Sequence, residues 1–217
     1  MSQHTLTLLR FTNKKLKEKL TVSDSKKLFH EQFPFVIPGL YKRIVDEMLV
    51  ELNLLNHQSE FSLDFLFCIG LTETFKLLMK GYKPEKHLEL LFESLCSSTN
   101  FEGKEIKEIS QNSQNELKNK KSKDILKLLI EKSNSKLYPS RILNLGIYVL
   151  ISNCKDFKEK NESDKNKMTS DIFEKLSLSG NKAEKDIGIY KSSISKMKQA
   201  KELIEELRIK DKKKEQK

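Results

Sequence analysis

The stretch "PGLYKRIVDEMLVELNLLN", residues 38–56, constrains this chain more than any other. Tyr41, Ile44, Val45, Met48, Leu49, Leu52 and Leu55 recur at steps of three and four residues, the spacing of one packed face of an α-helix. Eighteen or so residues rising 1.5 Å each make a helix about 27 Å long, the span of a small domain. Pro38 suits its first turn, where a missing N–H costs nothing. The next apolar stretch, "LDFLFCIGLTETFKLLMKGY" (63–82), is apolar nearly all round and reads as the central, most buried helix, capped by Ser62 and stopped at Gly81. With 7 Gly, 4 Pro and no Trp, the composition argues against a turn-dense β architecture. The expectation is an all-α chain: a single helical bundle with a long C-terminal amphipathic, coiled-coil-like helix.

The remaining segments fit that frame. Residues 1–20 lack sustained periodicity and read as an extended arm. "TVSDSKKLFHEQF" opens with cap-forming Ser23 and Asp24 and places Leu28, Phe29 and Phe33 on one helical face. "PEKHLELLFESLC" and "DILKLLIEK" read as short helices, and "PSRILNLGIYVLISNC" as a buried one. Between them, 97–123 is polar enough to suggest one solvent-bathed helix. "KDFKEKNESDKNK" reads as a loop by composition, followed by a short helix "TSDIFEKLSL" that ends at Gly180. Ile187, Tyr190, Ile194 and Met197 then follow a 3-4-3 spacing, Lys201 falls on the seam, and Leu203, Ile204 and Leu207 resume an apolar face shifted around the helix. The organisation expected is an arm (1–20), a bundle (21–180) and a long helix with a basic tail (181–217).

Charge narrows the partners. The net charge is +10, but 37 of the 41 basic residues are Lys, a solvated point charge ill suited to the bidentate contacts that Arg makes with phosphate and guanine. From Val22 to Cys96 the net is −3, so the positive charge lies at the periphery, where it could rest on an anionic membrane surface. Cys68, Cys96 and Cys154 show no CxxC spacing and read as small buried apolar residues of a reducing compartment. The best apolar run, "ILNLGIYVLI", is ten residues where about 20 are needed to span a bilayer. The basic N-terminus carries no secretory cleavage pattern. A soluble or peripheral protein is expected.

Linear catalytic motifs are missing. His4, His30, His57 and His87 are scattered, with neither Glu-x-x-His nor His-Glu-x-x-His spacing, and Gly39, Gly70 and Gly81 are isolated rather than gathered in a phosphate loop. On the 38–56 helix, Glu47 and Glu51 stand one turn apart, with Arg43 a turn before Glu47 and Lys42 a turn before Asp46. A metal or acid/base pair is one reading of these carboxylates. A salt-bridged wet face that a partner could read is the other, and without His, Cys or Gly-loop companions it is preferred. No catalytic, metal or cofactor residue is assigned. Composition alone leaves a basic nucleic-acid or anionic-membrane-surface binder as the alternative function.

"TVSDSKKLFHEQFPFVIPGLYKRIVDEMLVELNLL", followed by "FLFCIGLTETFKLLMKGYKPEKHLELLFESLC", resembles the thylakoid formation protein family, also called the photosystem II biogenesis family. The resemblance continues more weakly through "YPSRILNLGIYVLI" and "DIGIYKSSISKMKQAKELIEEL"; the "FPFVIPGL" connector and the Asn/Lys-rich middle depart from it. It implies an all-helical, cofactor-free accessory protein of thylakoid membrane biogenesis and photosystem II assembly and repair. It also implies association with the membrane-anchored FtsH protease complex on the cytoplasmic side of the thylakoid, in a cyanobacterial-type member. No nucleic acid is expected as partner, and homo-oligomerisation stays open. Two surfaces are expected to bind the partner: the polar face Lys42, Arg43, Asp46, Glu47 and Glu51, and the stripe Tyr190, Ile194, Met197, Leu203 and Leu207.

Overall fold

Ten α-helices and one 3₁₀ turn make up the computed structural model, which describes residues 19–118, 120–132 and 137–215; no strand occurs among them. The expected N-terminal arm lies outside the described residues except for Lys19 and Leu20.

Helix α1 (Val22–Gln32) starts from a capping box. Thr21 Oγ1 accepts from the Asp24 N–H at 3.1 Å, and Asp24 Oδ2 accepts from the Thr21 N–H at 3.0 Å. The cap is therefore Thr21, with Ser23 and Asp24 inside the first turn. Helix α2 (Gly39–Asn56) buries Tyr41, Val45, Met48, Leu49, Leu52 and Leu55, the face expected from spacing, and Pro38 sits at its N-cap. Asn53, 2% exposed, donates to the Leu20 carbonyl at 2.8 Å and to Ser25 Oγ at 2.9 Å, which fastens α1 across α2.

Helix α3 (Phe65–Leu78) is capped by Asp64 rather than Ser62: Asp64 Oδ1 accepts from the Phe67 N–H at 2.8 Å. Burial strips water from this carboxyl and raises its pKa to about 6, against the opposing pull of the Phe67 and Leu66 N–H groups. The native state thus holds the Asp64 proton more tightly than the unfolded chain, where the value is about 4. Its stabilising contribution is complete below pH 4 and is lost as pH rises through 6, about 3 kcal/mol in all. Asp64→Asn keeps a capping oxygen and removes the titration. Urea unfolding at pH 4 and pH 7 should show the variant gaining on the wild type by about this amount as pH rises. Equal pH dependence in the two proteins would refute the assignment.

The chain leaves α3 through Gly81, at φ +83°, a conformation that side chains resist. After the 3₁₀ turn Glu85–His87 come α4 (Leu88–Ser97), α5 (Gly103–Leu117), α6 (Ser122–Lys132) and α7 (Arg141–Asn153). The polar middle does form a helix, α5, but it is not bathed on all sides: Ile106, Ser110 and Leu117 are buried. Helices α3 and α7 cross at two glycines. A Cβ on Gly70 would lie 1.9 Å from the Ile142 carbonyl oxygen, and one on Gly146 would lie 1.9 Å from that of Leu66. Two apolar clusters meet along this crossing. One gathers α1, α2, α4 and half of α3; the other gathers Leu66, Ile69, most of α7 and the helices that follow.

The segment expected as a loop after Cys154 is helical. Helix α8 (Lys155–Lys158) is held by buried Phe157, and Asp156 accepts from the Ser122 N–H at 3.1 Å and from the Ser122 hydroxyl. Helix α9 (Glu162–Lys175) starts seven residues before the expected "TSDIFEKLSL", because Asn161 caps it by accepting from the Asp164 N–H at 2.8 Å. It ends at Lys175 with Ser177 at φ +57°. Gly180 opens α10 (Gly180–Glu215) instead of closing α9. The first half of α10 packs into the second cluster through Ala183, Ile187 and Tyr190, and Asn144 of α7 donates to Asp186 at 2.7 Å.

Candidate docking surface

The period that builds α2 leaves Lys42, Arg43, Asp46, Glu47, Val50, Glu51 and Leu54 on its outer side. These residues form one wall of an open groove of about 860 Å³; Lys26 of α1 and the turn Tyr138–Arg141 at the start of α7 complete it. All five charged residues expected on this helix line it. The base pairing differs from a simple helix ladder. Arg43 Nε donates to Glu47 Oε1 at 2.8 Å along the helix, as expected. Asp46, in contrast, pairs with Lys26 at 3.6 Å, from α1 rather than with Lys42.

Glu51 reaches furthest. Its Oε2 accepts from Arg141 Nε at 3.0 Å and also from the second guanidinium nitrogen, a two-pronged bond across 90 residues of sequence. Burial works to lower the Arg141 pKa, but the Glu51 carboxylate beside it prevails and raises it. Glu51 therefore clamps α2 to α7, a structural role, while Lys42, Arg43 and Glu47 are exposed to a visitor. Val50 and Leu54 were absent from the expected surface. Leu54 is 53% exposed in the groove, and the signal for it lay in the sequence: an apolar residue left over after the inner face is assigned. Tyr138 and Arg141 carried no such signal, since only the fold brings α7 alongside α2.

The stripe on α10 divides. Tyr190 and Met197 are buried against the bundle and Ile194 is half-buried, so these three hold α10 in place. Lys201 lays its stem beside Gly81 and its Nζ 5.8 Å from the centre of the Tyr41 ring. Beyond it Leu203 (58% exposed), Ile204 and Leu207 (50%) face solvent.

The surface offers charge and apolar area. Among the described residues no group of three His, Cys, Asp or Glu could hold a metal ion. Cys68, Cys96 and Cys154 are buried free thiols, and burial raises the pKa of each, that of Cys154 to about 11. They stay protonated near neutral pH and are poor nucleophiles. No described helix is long and apolar enough to cross a membrane.

Known proteins are similar to this chain over most of its length. The model of the family described as "Thylakoid formation protein" matches residues 21–217. Protein Thf1 of Prochlorococcus marinus (strain MIT 9312) is 83% identical over 199 residues, covering 92% of this chain and 99% of that protein. Protein Thf1 of Synechococcus sp. (strain CC9605) is 36% identical over 86% of this chain and 87% of its own length. A solved structure of Psb29 superimposes with a TM-score of 0.72 at 24% identity, over 82% of this chain and 98% of that one, a likeness of fold.

Proposed function

This chain belongs to the thylakoid formation protein family, in its cyanobacterial form, and we propose that it serves photosystem II assembly and repair as a non-catalytic accessory. In this reading it docks on a membrane-anchored FtsH-type protease complex at the cytoplasmic side of the thylakoid. The observation that carries the docking site is the α2 groove, where exposed Lys42, Arg43 and Glu47 line one stretch and the half-exposed Leu54 lies about two to three turns further along the helix. Charge and an apolar contact along one groove support a partner that is both steered and held. The solvent-facing Leu203 and Leu207 of α10 extend the same reading to a second contact.

The test leaves Glu51 alone, because reversing it would strand the partly buried Arg141 and confuse docking with folding. Lys42→Glu combined with Glu47→Lys changes only exposed side chains. Recovery of the protease complex from detergent-solubilised thylakoid membranes should fall about tenfold, the scale of opposed charges at an interface rim. Undiminished recovery by the folded double variant would remove the groove as the docking site.

A further inference from the structure

Pro34 and Pro38 bracket a connector between α1 and α2 in which Ile37 packs on the core while Phe35 and Val36 face outward. Val36 is 91% exposed, the most exposed of the large apolar side chains among the described residues, and Phe35 beside it is 43% exposed. The tip is held rather than loose. The Phe35 ring stacks on His87 with centroids 3.8 Å apart, and the buried Phe33 meets its edge at 5.5 Å. Phe35 pins the connector while keeping part of its ring in solvent, and Val36 beside it adds nothing to the core.

Its surroundings are cationic. The stacking brings the connector against His87, at the end of a segment 79–87 that carries exposed Lys80, Lys83 and Lys86 and one acid, Glu85, held by Lys83 at 2.5 Å. Glu89, just beyond, is held by Lys107 at 2.6 Å; Glu31 stands at the end of α1. Lys201 of α10 reaches the same end beside Gly81, and there desolvation and the neighbouring charge of Lys80 both lower its pKa. We propose that this end of the bundle is a docking site for an anionic lipid bilayer, with Phe35 and Val36 entering the acyl boundary while Lys80, Lys83, Lys86 and Lys201 lie on the headgroups. Apolar tip and basic collar match the two layers of such a surface, hydrocarbon within and negative charge without.

The inference rests on the reading that the protein works at a membrane, but its test needs no protease. The full chain is sedimented with vesicles of phosphatidylcholine alone or of phosphatidylcholine with phosphatidylglycerol. Binding is expected only to the second, weakening as salt rises. Val36→Asp, at a site outside the core, should lower partitioning about tenfold or more, since inserting a Val side chain is favoured by at least about that factor. Lys80→Glu with Lys86→Glu should lower it about as much at low salt. Binding to neutral vesicles alike, absence of binding, or wild-type binding by Val36→Asp would each overturn the proposal. So would a Val36→Asp variant that keeps vesicle binding but loses the protease complex, which would make the tip a protein contact. Loss of vesicle binding with retained recovery of the complex from detergent supports it and leaves the α2 groove reading intact.

Discussion

Replacing Gly70 or Gly146 by alanine should destabilise the protein by about 3 kcal/mol or more each, a large fraction of the roughly 5–15 kcal/mol that holds a domain folded. The obstacle is backbone, which cannot swing aside as a side chain can. A new methyl at either position lands 1.9 Å from a carbonyl oxygen of the facing helix, where contact needs roughly 3.4 Å. Relief requires α3 and α7 to part, and both apolar clusters are built on those two helices. Alanine is otherwise the better helix former by about 1 kcal/mol. A gain in stability in thermal or urea unfolding would therefore show that the helices do not approach as described. Gly188 is the internal control, since a Cβ there meets nothing within 4 Å and its replacement by alanine should stabilise α10 slightly.

The second large effect separates the two halves of α10. Tyr190→Ala should cost about 3–4 kcal/mol, because the ring is 6% exposed and its removal leaves a cavity between α10 and the second cluster. Leu203→Ala and Leu207→Ala, about half a turn and one and two-thirds turns beyond Lys201, should change stability by less than about 0.5 kcal/mol, as exposed positions do. Chemical unfolding of the three variants reads the contrast directly. A cost at Leu203 or Leu207 comparable to that at Tyr190 would mean that the distal helix folds back or pairs with another surface in solution.

The inner face of α2 was legible because a 3.6-residue period is a local property, and every residue of Tyr41–Leu55 that the spacing selected is buried or half-buried. The shift of the α10 stripe at Lys201 was legible for the same reason, and the helix ceases to pack near that residue. The cap of α3 was not, since Ser62 and Asp64 are both good capping types and only the backbone decides between them. Helix α8 and the first seven residues of α9 were hidden by their polarity. Phe157 is the lone apolar residue in "KDFKEKNESDKNK", yet its buried ring holds α8 against α6 and α7, and the Asn161 cap starts α9 ahead of the apolar residues that pack it on α10. In the groove, the α2 wall was readable while Tyr138 and Arg141 were not, because a clamp between Glu51 and a residue 90 positions away leaves no trace in local spacing.

Helix α2 joins the two proposed contacts. Its N-terminus emerges from the connector that carries Phe35 and Val36, and the groove runs along its outer side to Gln58. Eighteen helical residues fix that separation within about 27 Å, with no linker to fluctuate. Once one contact forms, the other is presented at the millimolar-scale local concentration of a short connection, and joint residence can exceed either alone by roughly 10²–10⁴-fold. Each contact can then be individually weak and readily released. The molecule would hold firmly only where lipid and protein stand side by side, at the foot of a membrane-anchored assembly, and let go of either one met in isolation.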